Sequence, residues 1–185
     1  MIVRYLLRHL PGWLNKLRMA RFIILMGVSG SGKTVIGKSL APNLNAEFID
    51  GDNLHTQRNV DKMAAGIPLT DEDRLDWLDL IAKVGHDHAE HGTTCIIACS
   101  ALKRKYRDIL RTTNPKMGFI YLKGSYELIF DRISKRSHQY MPSSLLQSQF
   151  DTLEEPQADE KDVFIVSIDK EISEIVDDIV KADLV

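Results

Sequence analysis

The run Gly27-Val28-Ser29-Gly30-Ser31-Gly32-Lys33-Thr34 has the form G-x-x-x-x-G-K-[ST], and its residue types are those a phosphate chain requires. Glycines at 27, 30 and 32 keep side chains away from the backbone N–H groups and permit positive φ where the loop turns. Lys33 is long enough to reach the β- and γ-phosphates, and the hydroxyl of Thr34 suits Mg²⁺. A helix beginning at the loop adds unpartnered N–H groups and a favourable dipole. These eight residues imply a bound nucleoside triphosphate such as ATP. They leave open which molecule receives the phosphoryl group.

Acceptor chemistry must come from other residues. In "FIDGDN", Asp50 and Asp52 stand two apart at what reads as the carboxyl end of a strand. Asp52 is the candidate base for a hydroxyl proton and Asp50 the candidate partner of Thr34 at the metal; a solvated turn is the alternative. In "GIPLTDEDRLDWL", Thr70 or Asp71 caps a helix whose first turn is acidic, yet Arg74 lies in that turn against the dipole. Either a bound carboxylate or a salt bridge to Asp71 or Asp73 would account for it. In "CSALKRKYRDIL", Ser100 stands at the mouth of a helix on which Lys103 and Arg107 fall one turn apart, as for an anionic, hydroxylated acceptor or for an ordinary basic surface. "KRSHQYMPSSLLQSQF" is polar and basic where a core element would be apolar, and reads as a mobile cover around Arg132, Arg136, His138 and Pro142.

Positioning these groups requires a sheet. The apolar runs "FIILM", "EFID", "TCIIAC", "GFIYL" and "VFIVSI" alternate with helical patterns after Gly32 and over 71–91, 103–111, 125–136 and 171 to the end. That alternation predicts an α/β fold with five parallel strands, each short enough to be central, and crossover helices. At 185 residues and 44% hydrophobic the chain has room for one core, so residues 20–185 are expected to form a single domain with a lid at about 132–142. A net charge of −2 and a pI near 6.3 exclude a general basic field for nucleic acid or anionic lipid. No apolar run reaches the length of a membrane span. Cys95 and Cys99 alternate with apolar residues and are expected to be reduced core thiols. Residues 1–19 carry Arg4, Arg8, Lys16 and Arg18 with no acid and are broken by Pro11-Gly12. They read either as a surface or targeting helix or, the preferred expectation, as an extension outside the working domain, since Met19 immediately precedes the first core strand.

The D-x-x-G and N-K-x-D segments of regulatory GTPases do not follow the loop, and the third strand ends in Ser100 rather than in the Asp a motor would use. Taken together, "MGVSGSGKT", "FIDGDNLH", "KMAAGIPLTDEDRLDWL", "CSALKRKYRDIL" and "HQYMPSSLLQSQFDTLEEP" resemble the gluconate kinase family of P-loop sugar-acid kinases, over nearly everything from Ala20 onward. The resemblance implies a P-loop three-layer sandwich, similar to nucleoside monophosphate kinases and fitted with a lid. It implies ATP- and Mg²⁺-dependent phosphorylation of D-gluconate at its 6-hydroxyl, in a cytoplasmic homodimer with no nucleic-acid or membrane partner. Matched by position, Gly27 to Thr34 hold ATP with Arg132 and Arg136 as lid cations, and Lys33, Asp52 and Arg132 serve catalysis. The acceptor set is Asp52, Arg74, Ser100, Lys103 and Arg107, with His138 on the cover, and Thr34 and Asp50 face the metal. A kinase of another small anion, shikimate-like or nucleotide, shares loop and lid but not "CSALK--YRDIL". A non-catalytic ATP-binding regulator would lack the base that Asp52 supplies.

Overall fold

The computed structural model describes residues 22–65, 67, 69–112, 117–135 and 143–182. The extension, Arg136, His138 and most of the expected lid lie outside the described residues. Five parallel strands, β1 (Phe22–Met26), β2 (Ala46–Asp50), β3 (Thr94–Ala98), β4 (Met117–Lys123) and β5 (Val163–Ser167), pair in the order β2-β3-β1-β4-β5. The seven α-helices among the described residues are α1 (Lys33–Leu40), α2 (Gln57–Ala64), α3 (Asp71–Glu90), α4 (Arg104–Arg111), α5 (Tyr126–Ser134), α6 (Ser143–Thr152) and α7 (Ile172–Lys181).

The central strand has no polar face because both sides of it are covered. Ile23 and Leu25 of β1 pack with Ile96, Ile120 and Leu122 beneath α1, α5 and α7, through residues such as Ile36, Ile129 and Ile175. Phe22, Ile24 and Met26 point the other way, joining Cys95, Ile97 and Phe119 beneath α3 and α4, through Leu78, Ile81 and Leu110. Helix α3 lies so near the sheet that a Cβ at Gly85 would come within 2.4 Å of the Phe22 ring, which only glycine permits. β2 and β5 are the edge strands: Glu47 is exposed and Ile165 is 49% exposed. Cys95 and Cys99 are free and buried, and burial pushes both thiols up to about 12.

One expected site residue belongs to this core instead. Arg107 is fully buried; its Nε and Nη2 donate to Glu160 at 2.7 Å each, and its Nη1 donates to the carbonyls of Ala101 and Leu102. Arg111 donates to Glu160 and Asp162 beside it. Arg107 therefore holds the β3–α4 loop and has no free guanidinium edge to offer an acceptor in the way the sequence reading expected. Glu160→Gln leaves that guanidinium buried without its counter-charge, and is expected to destabilise by about 3 kcal/mol, lowering Tm by roughly 6–12 °C for a chain of this size. A melt within about 2 °C of wild type would show that the pair contributes packing alone. Hydrogen bonds from Arg107 hold the Glu160 carboxyl down to about 2, from an ordinary 4.5. The stability it supplies is thus complete above about pH 4.5 and is lost as pH falls toward 2.

Candidate active site: a phosphate-binding loop beside a cationic pocket

β1 delivers Gly27–Thr34 to the carboxyl edge of the sheet at its centre, where loops from β2 and β3 also emerge. Gly27, Gly30 and Gly32 all have positive φ, at 142°, 83° and 97°. At Gly30 a Cβ would also lie 2.6 Å from Ile133 of α5, so sterics as well as φ select glycine there. Gly27 N–H donates to the carbonyl of Ser100, tying the loop to the end of β3. Val28 and Ser31 are buried, and Ser31 Oγ has no partner among the described residues. Lys33 folds back so that its Nζ donates to the carbonyls of Gly27 at 2.9 Å and Val28 at 3.1 Å. Burial lowers its pKa, while the charges of Asp52 and Asp50 act in the opposite direction.

β2 ends at Asp50, and the chain turns at once into a short 3₁₀ segment, Gly51–Leu54, carrying Asp52. Asp50 Oδ2 accepts from Thr34 Oγ1 at 3.2 Å, and its Oδ1 accepts from the N–H of Asp52. A hydroxyl and a carboxylate at that spacing form a hard-oxygen pair of the kind Mg²⁺ prefers. Trp77 of α3 donates from Nε1 to the carbonyl of Gly51 at 2.7 Å and stacks on His55 at 4.2 Å. The turn bearing Asp52 is thereby fastened to α3.

Thr70 and Asp73 form a capping box at the start of α3. None of the three acids of that turn, Asp71, Glu72 and Asp73, pairs with Arg74. Asp73 accepts from Lys62, while Asp71 accepts from Lys103 at 2.9 Å and from Lys105 and Tyr106. These bonds hold the carboxyls of Asp71 and Asp73 well below the ordinary range. Arg74 makes a 3.4 Å bond to the carbonyl of Leu69 and lies 5.9 Å from the centre of the Tyr106 ring, with no ion pair among the described residues.

Arg74, Trp77, Ser100, Lys103 and Tyr106 line a cavity of about 210 Å³, and α6 contributes Ser148, Gln149 and Thr152 to it. That size suits a small metabolite, below the roughly 300–1,000 Å³ of pockets for larger ligands. The carboxamide oxygen of Gln149 accepts from Ser29 N–H at 2.6 Å, so this cavity adjoins the phosphate loop. Arg132 stands apart in the last turn of α5, donating to the carbonyl of Ile168 at 2.6 Å. The fold thus gathers Lys33, Thr34, Asp50 and Asp52 at the loop and Arg74, Ser100 and Lys103 at the cavity, and it withdraws Arg107. Gln149 and Asp71 are the pocket residues whose roles the sequence reading missed.

The shikimate kinase family model matches residues 29–183. A thermosensitive gluconokinase of Escherichia coli (strain K12) is 50% identical over 152 residues, covering 82% of this chain and 81% of that protein. A thermoresistant gluconokinase of the same organism is 45% identical over 83% of this chain and 87% of its own. Among solved structures, a gluconokinase from Sinorhizobium meliloti 1021 superposes with a TM-score of 0.81 at 41% identity, covering 90% of this chain and 93% of that one.

Proposed function

Since the chain belongs to the gluconokinases, within the kinase family that the shikimate kinase model describes, we propose that it transfers the γ-phosphoryl group of ATP to the 6-hydroxyl of D-gluconate, giving 6-phospho-D-gluconate. The observation that carries the acceptor half is Arg74. It stands in a pocket beside the phosphate loop, while Asp71 and Asp73 of its own helix turn pair elsewhere. Arg74 and Lys103 hold the gluconate carboxylate, and the far hydroxyl extends toward Lys33.

Backbone N–H groups at the helix end of the loop, Gly32, Lys33 and Thr34, cradle the phosphates, and Lys33 leaves its resting carbonyls to meet the charge that spreads over the transferring group. Asp52 accepts the proton of the 6-hydroxyl as the new O–P bond forms and the bond to the departing ADP oxygen breaks. Thr34 and Asp50 fit Mg²⁺, which supplies neutralisation of phosphate charge when bound. Arg132 is a further cation of this reading, with Arg136 and His138 assigned by the family resemblance to the phosphates and the acceptor, and exclusion of water limits wasteful consumption of ATP. A cytoplasmic homodimer is part of the same reading, which rests on family kinship; no described helix is long and apolar enough to cross a membrane.

An ADP-release assay over a panel of acceptors tests this. Gluconate is expected to be turned over, with glucose, shikimate and nucleoside monophosphates at roughly a hundredth of its kcat/KM or less, because each lacks either the carboxylate or the matching hydroxyl chain. Preference for shikimate or for a nucleotide would overturn the acceptor assignment.

A further inference from the structure

The two walls of the acceptor cavity differ in chemistry. Arg74 and Lys103 form a cationic side, whereas Ser148, Gln149 and Thr152 of α6 bring only neutral polar groups. Helix α6 is seated on the core by buried Leu146 and by Phe150, whose ring meets Tyr126 edge-on at 5.5 Å, so these groups are held in place. Gln149 stands where the cavity meets the phosphate loop, because its side chain also reaches Ser29 across 120 residues of sequence.

That contact fixes the amide. An N–H can be accepted only by the carboxamide oxygen, so Ser29 determines which end of the Gln149 amide is oxygen and which is nitrogen. The remaining group, Nε2, carries two donors and has no partner among the described residues. Resting on the proposed function, we infer that Gln149 is a positioning residue for the reacting end of the acceptor. With the carboxylate anchored at Arg74 and Lys103, the far end of a hydroxylated chain reaches the loop side of the cavity, where Nε2 donates to the hydroxyl beside the reacting one. A donor on the reacting oxygen itself would draw density from the attacking lone pair; one on its neighbour orients it without that cost. Because the same amide is pinned to Ser29, acceptor and phosphate loop share one reference point.

Two variants separate this role from simple capping of the loop. Gln149→Glu keeps an oxygen for Ser29 N–H and removes the donor, whereas Gln149→Leu removes both. The expected result is a fall of about 10- to 100-fold in kcat/KM for gluconate in each variant, as positional errors near a reacting centre produce. The Kd for ATP, measured on the Leu variant without acceptor, should stay within about threefold of wild type. Recovery of wild-type kcat/KM by the Glu variant while the Leu variant stays low would overturn the inference, leaving Gln149 a cap for Ser29. Unchanged kinetics in both would overturn it too, and should the Leu variant not fold, the Glu variant decides alone. Wild-type protein inactive on gluconate would overturn the proposed function and this inference together; active wild type with a normal Glu variant overturns only the inference.

Discussion

Arg74→Ala is expected to raise the KM for gluconate by roughly 30-fold to several thousand-fold while leaving the KM for ATP nearly unchanged. The range corresponds to about 2–5 kcal/mol, the loss when a charge-assisted pair is broken and the partner carboxylate is left without its cation. The expectation is specific to Arg74 because two acids of its own turn are engaged elsewhere, Asp73 with Lys62 and Asp71 with Lys103, Lys105 and Tyr106, and no described residue forms an ion pair with it. Removing the guanidinium therefore breaks no ion pair among the described residues, and the fold should lose little beyond a long bond to the Leu69 carbonyl and the approach to the Tyr106 ring. Glucose tests the contact from the other side: as a neutral acceptor it should be poor with wild type and lose little more in the variant. If Arg74→Ala weakens ATP binding, or harms glucose and gluconate equally, the residue serves the nucleotide site or the fold. With Arg107 closed in the core, the carboxylate would then rest on Lys103.

The second large effect concerns the donor. Lys33→Ala should lower kcat by about 10²- to 10³-fold, the scale for removing one charge-stabilising donor from a transition state. The protein should remain folded, because among the described residues Nζ bonds only to carbonyls of its own loop and the positive φ angles at Gly27, Gly30 and Gly32 do not depend on it. Circular dichroism and thermal melting control for folding, and single-turnover phosphoryl transfer reads the chemistry. Near-normal turnover in a well-folded variant would remove the phosphate loop from the mechanism.

The strands were legible because each is a short apolar run followed by a polar turn, and β1 was marked twice, by its composition and by the glycines behind it. Helix α2 escaped notice since it is short and its apolar residues Val60 and Met63 stay exposed while only Asn59 is buried; Thr56, its N-cap, was the available signal. Arg107 was misassigned for a geometric reason. Spacing of four puts two side chains on one face only when both belong to the helix, and Lys103 is the N-cap in an extended conformation (φ −94°, ψ 145°). What captured Arg107 was Glu160, 53 residues away, and no local pattern announces such a partner. Gln149 was hidden in the same way, its role set by a contact with Ser29 from the far end of the chain. Asp71 was seen as a cap candidate, and the structure adds the three donors that gather on it.

Those three donors change what binding an acid at this wall means. Lys103, Lys105 and Tyr106 already share a carboxylate that belongs to the protein. On the proposed assignment, an incoming carboxylate that takes Lys103 displaces Asp71 from it, and uptake would be an exchange of partners rather than the filling of a bare cationic hole. The Asp71 carboxylate offsets part of the ammonium charge beforehand, which keeps Lys103 and Lys105 from repelling or wandering while the pocket waits. Exchange also blunts the response to salt: chloride or phosphate in the medium must compete with a tethered anion at very high effective concentration, as any acceptor must. Selectivity follows from the same competition. A lone small anion offers nothing that Asp71 does not already provide, whereas a carboxylate trailing a row of hydroxyls brings the further contacts that tip the exchange.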